Sequence, residues 1–239
     1  MSGHSKWSTI KRKKGAADAK RGVIFTRLSK DISLAARQGG GDIDMNPSLR
    51  LAVKKAKSAN MPSANIERAI KKGTGDLPGV KFEDFEYEGY GPHSVAILIE
   101  VMTDNKNRTL PEIRSIMTKN GGNLGESGCV NWMFERKGVL SIKASNMTED
   151  SLMEILDDIE IEDINIDDEF YEILTKPDDF QNLNTTLENQ NVEFEGGLSL
   201  VPQNLIQLSI EEADKVVKLL ELIENHDDVQ KVHTNFEII

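Results

Sequence analysis

The stretch HSVAILIEVMT at residues 93–103 is the most clearly β-forming part of this 239-residue chain. Apolar and β-branched residues follow one another there up to Glu100, which predicts a well-buried strand. Residues before about 80 instead repeat their apolar positions at helical spacing. The change of period predicts a helical region followed by a region of mixed α and β structure.

Strands and helices alternate after this first strand. A polar loop leads into a helix that we expect to begin with a capping box, with Thr109 as N-cap and Glu112 at the third helical position. A further strand is predicted at 129–135. Residues 137–201 then follow the order strand, helix, strand, strand, helix, strand of the ferredoxin-like unit. A last strand, helix and strand are expected at about 205–236.

The β-α-β segments on either side of this six-element unit indicate that one domain is inserted in another. We therefore predict an α+β multidomain fold: an N-terminal helical bundle followed by two α+β domains of ferredoxin-like type, one inserted in the other. The predicted divisions are an arm and bundle at 1–80, a discontinuous α+β domain at 81–136 and 202–239, and an inserted α+β domain at 137–201.

The N-terminal region predicts three helices separated by breaks that contain glycine or proline. Gly39-Gly40-Gly41 ends the first long helix. Asn46 and Pro47 are a typical N-cap and first residue of the second. The third helix follows Pro62 and ends at Gly73-Thr74-Gly75.

The second of these helices carries a row of cations. Arg50, Lys54 and Lys57 recur at i, i+4 and i+7, so they form a basic stripe on a face other than the apolar one. The stripe fits a contact with nucleic acid and an ordinary solvated face equally well.

The two ends of the chain carry opposite charge. Through Val80 the sequence holds 17 Lys and Arg against 6 Asp and Glu, a net charge of +11, and the remaining 159 residues carry −22. The positive segment can neutralise several phosphates, while the acidic remainder would be repelled by the same polymer. A polyanion is therefore the expected partner of the N-terminal end. The alternative is surface charge that serves only solubility.

The arm at the N-terminus holds the densest group of cations. Between Gly3 and Lys14 it contains five cations, Trp7 and no carboxylate. Cations can contact phosphates, and tryptophan can stack on an unpaired base. The predicted nucleic-acid contacts of arm and helix are His4, Lys6, Trp7, Lys11, Arg12, Lys13, Lys14, Lys20, Arg21, Arg50, Lys54 and Lys57. The alternative is a basic tail without specificity, or one bound to the acidic domains of its own chain.

A second candidate site lies at the predicted start of the helix after the first strand. It consists of Asn105, Lys106, Asn107, Arg108 and Thr109. Free N–H groups and the helix dipole favour an anion or an acidic partner at such a place. Ordinary loop chemistry with a helix cap is the alternative.

Nothing in the sequence predicts an enzyme. The four histidines are scattered without metal-type spacing, and Cys129 is expected to be a buried structural thiol. The acidic clusters lack the spacing of a calcium loop. We expect no metal and no cofactor. A single cysteine fits a reducing cytoplasm, and the longest apolar run, 95–99, is far too short to span a membrane.

Several ordered motifs are similar to those of the YebC/PmpR family, whose mitochondrial relative is the translational activator of cytochrome c oxidase subunit I. They are Gly3-His4-Ser5-Lys6-Trp7, Asp18-Ala19-Lys20-Arg21, Gly39-Gly40-Gly41-Asp42, Asn46-Pro47, Tyr87-Glu88-Gly89-Tyr90-Gly91-Pro92, Asp104-Asn105 with Asn107-Arg108-Thr109, and Gly121-Gly122-Asn123-Leu124-Gly125. The resemblance runs along essentially the whole chain. It implies the same three-domain architecture and, since no mitochondrial presequence precedes Met1, a bacterial cytoplasmic protein. His93 stands where the family pattern has a small residue.

The resemblance also implies two functions. Members of the family are described as DNA-binding transcriptional regulators, and others as ribosome-associated translation factors that relieve stalling at proline-rich stretches. The expected partner is therefore DNA or ribosomal RNA, and the ribosome is a candidate partner. We expect no contact with a membrane, and we expect the protein itself to be a monomer. The absence of a helix-turn-helix, zinc-finger, KH or RRM signature, together with Trp7, favours RNA on physical grounds. An acidic adaptor that binds basic proteins is the alternative of another class.

Overall fold

The computed structural model describes residues 21–77, 83–157, 159–166 and 169–239, without the side chains of residues 21–23 and 27. The described parts of 21–131 and 208–234 form one compact unit, and those of 132–207 and 235–239 form a second. The first unit holds a helical bundle and one four-stranded sheet, and the second holds the other four-stranded sheet.

Three helices form the bundle: α1 (Arg21–Gly39), α2 (Pro47–Ser58) and α3 (Ser63–Thr74). Their apolar residues repeat at helical spacing and meet in one core, to which Ile32, Leu49 and Ile66 contribute buried side chains. Gly73 lies so close to α1 that a Cβ atom there would stand 2.3 Å from the carbonyl oxygen of Ser33. Glycine therefore allows α1 and α3 to pack closely.

The predicted start of α2 is confirmed, with Asn46 as N-cap and Pro47 as first helical residue. The Asn46 side chain accepts a hydrogen bond from the Leu49 N–H at 3.0 Å. Its amide nitrogen also donates to the carbonyls of Ala35 and Gly40, at 2.8 and 2.9 Å. Asn46 is buried, so this one side chain fixes the entry to α2 against the end of α1.

In chain order the elements after the bundle are β1 (Glu83–Tyr90), β2 (Ala96–Thr103), α4 (Lys106–Lys119), β3 (Asn123–Leu124), β4 (Phe134–Lys143), α5 (Glu149–Leu156), β5 (Asp163–Ile166), β6 (Phe170–Thr175), α6 (Phe180–Asn189), β7 (Phe194–Pro202), β8 (Ile206–Leu208), α7 (Ile210–Glu224), β9 (Val229–Thr234) and β10 (Phe236–Ile238). One sheet has the strand order β3-β1-β2-β9, and another has the order β5-β6-β4-β7. All their pairings are antiparallel.

The sheet of β4 to β7 follows the predicted order of six elements. Its helices α5 and α6 cover a core that includes Leu140, Ile142, Leu152, Ile173 and Leu183. These strands and helices lie in sequence between β2 and β9, which pair with each other. The predicted α+β fold class, with an N-terminal helical bundle and one α+β domain inserted in another, is confirmed. The divisions at residues 80, 136 and 201 stay predictions.

Three predictions of local structure are wrong. The separate strand expected at 129–135 does not form, because β4 begins only at Phe134 and continues unbroken to Lys143. The single strand expected near the C-terminus is interrupted at Asn235, and β10 pairs with β8. Thr109 is not an N-cap, since α4 begins at Lys106.

Two strands were not predicted, the two-residue β3 and the longer β1. Its eight residues include four carboxylates, at Glu83, Asp84, Glu86 and Glu88, which hide the alternation of its apolar residues. β1 nevertheless pairs with β2 along its whole length.

Candidate nucleic-acid interface

Most of the predicted arm contacts lie outside the described residues. These are His4, Lys6, Trp7, Lys11, Arg12, Lys13, Lys14 and Lys20. Arg21 lies at the described start of α1, and its side chain is not described. The arm therefore stays a prediction.

The basic stripe on α2 lies on the surface of the bundle. Arg50, Lys54 and Lys57 are exposed, whereas Leu49 and Val53 of the same helix are buried in the core. A helix of 3.6 residues per turn separates the two sets in this way. The three cations can therefore reach a phosphate backbone from one side of the bundle.

One member of this stripe, Arg50, is held in place by hydrogen bonds to the backbone. The guanidinium of Arg50 donates to the carbonyl of Ile43 at 3.2 Å and to that of Asp44, so it braces the loop before α2. Lys55, which is not among the predicted contacts, is also exposed on this helix. Its spacing from Lys54 and Lys57 departs from the i, i+4 pattern that predicts the stripe.

The second candidate site is at the N-terminus of α4, but its cap differs from the prediction. Asn105 is the N-cap, and its side chain accepts from the Arg108 N–H at 3.1 Å. Lys106 places its ammonium 4.4 Å from the centre of the Phe85 ring, a cation–π distance. Asn105, Lys106 and Asn107 are exposed.

A carboxylate of the protein itself takes the place next to Arg108 and Thr109. Asp228 Oδ2 accepts from Thr109 Oγ1 at 2.6 Å, from Arg108 Nη2 at 2.7 Å and from Thr103 Oγ1 at 3.0 Å. Burial alone would raise the pKa of Asp228, but the bonds from Thr109, Arg108 and Thr103 outweigh it and lower the pKa. Arg108 and Thr109 therefore bind an internal anion, and an external one at this helix stays a prediction.

His226 connects this network to the exposed side of α4. Its Nδ1 accepts from the Asp228 N–H at 3.1 Å, and its Nε2 lies 2.8 Å from a carboxylate oxygen of Glu112. Because Nδ1 is an acceptor, the proton sits on Nε2 and is donated to Glu112. Glu112, predicted to complete a capping box, instead holds the ring of a distant histidine.

A second buried carboxylate fixes the loop after β3. Glu88 accepts from the backbone N–H groups of Gly128, Val130 and Asn131 at 2.6, 2.8 and 2.8 Å. Burial would raise the pKa of Glu88, but these bonds and one from Ser127 outweigh it, so the pKa is lowered. These N–H groups are thereby taken from any strand ladder, which explains why the separate strand expected at 129–135 does not form.

The described residues contain no other arrangement that points to chemistry. No group of three or more His, Cys, Asp or Glu among them could hold a metal ion. Burial, and then the charge of Glu88, raises the pKa of the Cys129 thiol, which keeps it in its less reactive form. Within the part of the chain that the structure describes, every helix is too short or too polar to cross a membrane.

Comparisons with known proteins cover nearly the full length of the chain. Residues 5–76 match the model of the TACO1/YebC protein N-terminal domain, and residues 82–236 match that of the TACO1/YebC second and third domain. A protein of Halothermothrix orenii, named probable transcriptional regulatory protein, is 52% identical over 242 residues, which is 100% of this chain and 96% of that protein. A protein of Natranaerobius thermophilus with the same name is also 52% identical, over 100% of this chain and 97% of its own length.

One solved structure is similar along the chain as well. It is the crystal structure of a conserved hypothetical protein, Aq1575, from Aquifex aeolicus. The match has a TM-score of 0.77 at 44% identity and covers 93% of this chain and 92% of that one. Sequence motifs, fold and full-length relatives agree, and the chain belongs to the TACO1/YebC family.

Proposed function

We propose that this protein regulates gene expression by binding nucleic acid through its basic arm and helical bundle. The observation that carries the proposal is the separation of charge, with +11 through Val80 and −22 in the rest. Arg50, Lys54 and Lys57 support it, because they give the positive end an exposed face. The names of the relatives, probable transcriptional regulatory protein, support DNA as the polymer and transcription as the process.

The second candidate is a ribosome-associated translation factor that binds ribosomal RNA. Trp7 favours it, because a tryptophan stacks on unpaired bases, and folded RNA offers these in its loops and bulges. The cations of the arm contribute phosphate contacts to either polymer, so charge alone does not discriminate between them.

The test compares the whole chain with a variant that lacks residues 1–21. Binding to duplex DNA and to ribosomes is measured at two salt concentrations. If the arm makes ~5 phosphate contacts, the slope of log K against log salt falls by roughly 3.5 to 4.5 units on deletion. Replacing Lys11, Arg12, Lys13 and Lys14 by glutamine removes four of these charges without shortening the chain and controls for length. Unchanged affinities and slopes for both polymers would refute the proposal.

A charge-neutral substitution separates the two polymers. Trp7→Ala keeps every cation. If a base stacks on Trp7, the loss of this contact should weaken binding by about 1–3 kcal/mol. We expect that loss with ribosomal RNA and none with duplex DNA if translation is the process. If ribosome binding survives deletion of the arm and still weakens as salt rises, the result favours the adaptor hypothesis, in which the acidic domains bind a basic protein.

A further inference from the structure

One cation of the bundle caps a helix in the α+β part of the same unit. Lys30 of α1 donates from Nζ to the carbonyl oxygens of Glu224 and His226, both at 2.6 Å. These are among the last carbonyls of α7 and the turn after it, where a helix carries partial negative charge. Lys30 therefore holds the bundle to the end of α7 by charge and by hydrogen bonds.

A second cation, Arg37, contacts the first two strands of the sheet. It forms an ion pair with Asp84 on β1, and its Nη1 lies 3.1 Å from the sulfur of Met102 on β2. The side chains of Arg37 and Asp84 are 38% and 50% exposed, so water and salt ions reach the pair. Exposed pairs of this kind are weak and are screened further as salt rises.

A third cation lies in the field of several carboxylates of the α+β part. Burial lowers the pKa of Lys72 on α3, and the charges of Asp228, Asp227 and Asp104 offset this only in part, so the pKa stays lowered. Asp228 cannot turn away, because Thr103, Thr109 and Arg108 hold its carboxylate.

The surface next to Arg37 and Lys72 is concave. A cleft of about 440 Å³ lies there, lined by Arg37, Lys72 and Met102 together with the backbone at Gly73 and Gly75. The contacts that Lys30 and Arg37 make with the α+β part are polar or ionic. A competing polyanion can weaken an attachment of that kind.

We propose that Lys30 and Arg37 form an autoinhibitory latch, in which Asp84 and the carbonyls at the end of α7 hold these two bundle cations until nucleic acid displaces them. This inference rests on the proposed function. Phosphates compete with Asp84 and with the end of α7 for the same cations, so binding and release of the bundle are coupled. Because coupling is reciprocal, any change that weakens the latch strengthens binding.

Two substitutions on β1 test the latch from the acidic side and leave every bundle cation in place. Asp84→Asn breaks the pair with Arg37, and Glu86→Gln removes the same charge from an exposed residue two positions further on. Both reduce general repulsion equally. We expect Asp84→Asn to bind duplex DNA or ribosomal RNA, whichever the unmodified protein binds, roughly two- to five-fold more tightly than Glu86→Gln. Equal affinities, or weaker binding by Asp84→Asn, would overturn the latch.

Hydrogen exchange gives a readout that does not depend on affinity. The Val229 N–H donates to the carbonyl of His226, which also accepts from Lys30. Exchange at 224–229 is expected to quicken when nucleic acid is added, when salt is raised, and in Asp84→Asn at low salt. Exchange that stays constant in all three conditions refutes the latch even if the protein binds nucleic acid. Exchange that responds to salt in a protein that binds no nucleic acid refutes the proposed function and the coupling, and leaves a salt-sensitive docking contact.

Discussion

The helical bundle and the sheet of β4 to β7 have cores of the same chemistry and surfaces of opposite sign. Leucine, isoleucine and small apolar residues fill the first core, and leucine and isoleucine dominate the second. Residues 21–77 hold 11 Lys and Arg against 5 Asp and Glu, whereas residues 137–201 hold 3 against 17. Burial of apolar area is insensitive to the sign of surface charge. The fold therefore follows from apolar spacing, and the polymer that each region attracts or repels follows from its charge.

The largest expected effects come from the two cores. Leu49 and Leu140 are each fully buried, so Leu49→Ala and Leu140→Ala should each cost about 2–5 kcal/mol of unfolding free energy. Hydrogen exchange should localise the loss at 47–58 for the first and at 134–202 for the second. Only Leu49→Ala should reduce nucleic-acid binding. Loss of protection at both places in either variant would contradict independent cores.

The next effect contrasts a buried carboxylate with an exposed one. Asp228→Asn removes a charged acceptor from three donors and should cost about 1.5–3 kcal/mol of unfolding free energy. Glu160→Gln removes the same charge from an exposed pair with Lys176 and should leave stability unchanged. Urea unfolding at pH 7 measures both. Equal costs would show that the Asp228 network is no stronger than a surface pair.

The same carboxylate predicts a pH dependence with a definite sign. The pKa of Asp228 is lowered in the folded protein, so the unfolded chain binds more protons in acid. Its contribution to stability is fully present above the unfolded-state pKa of about 4 and is lost as pH falls through the folded-state pKa. Asp228→Asn should flatten the acid limb of a stability–pH curve. If the acid limb of the curve is unchanged, other groups cause the loss of stability in acid. Glu88 is then the next group to test, by the substitution Glu88→Gln.

A smaller difference separates the two helix caps. Asn46 is buried and makes three hydrogen bonds, whereas Thr148 at the start of α5 is exposed and accepts from the Ser151 N–H at 3.3 Å. Losses for such caps span about 0.5–2 kcal/mol. We expect Asn46→Ala near the upper limit and Thr148→Ala near the lower, by thermal unfolding. The reverse order would mean that the contacts with α1 contribute nothing.

The smallest effect on stability is expected from exposed cations, which we compare on α2 and on α4. Lys54→Gln with Lys57→Gln should leave unfolding unchanged and lower the salt slope of nucleic-acid binding by roughly 1.4 to 1.8 units. Arg114→Gln with Lys119→Gln on exposed positions of α4 removes the same charge and should leave the slope unaltered. Identical slopes for the two pairs would show that the α2 stripe is only a solvated face.

Features with a local cause were predictable from the sequence, and features made by distant partners were not. The spacing of Leu49, Ala52 and Val53 and the cap at Asn46 depend on neighbours in the chain, and both predictions are confirmed. Thr109 has the spacing of a capping box, but it is buried against Asp228, 119 positions away. No pattern in the sequence near Thr109 predicts its contact with Asp228.

The candidate site divides in the same way. Arg50, Lys54 and Lys57 were predicted from helical spacing, and the structure exposes them. The contacts of Lys30 and Arg37 were not predictable from the sequence, because their partners at α7 and β1 become neighbours only in the folded chain. β1 was not predicted for a related reason. Glu88 has the sequence character of a surface residue, and the N–H groups that bind it in the folded protein, such as that of Gly128, are distant in the chain.

The pairing of β2 with β9 has a consequence for how the chain is synthesised. Glu100 is separated by 133 positions from His233, its hydrogen-bonded neighbour across these strands. A ribosome that adds 5–20 residues per second needs roughly 7 to 27 s to cover that distance. The bundle and the sheet of β4 to β7 can both fold in this interval, but β2 must wait with one hydrogen-bonding edge open. A nascent chain thus carries the buried apolar strand β2 with one edge unpaired until β9, close to the end of the sequence, has been made.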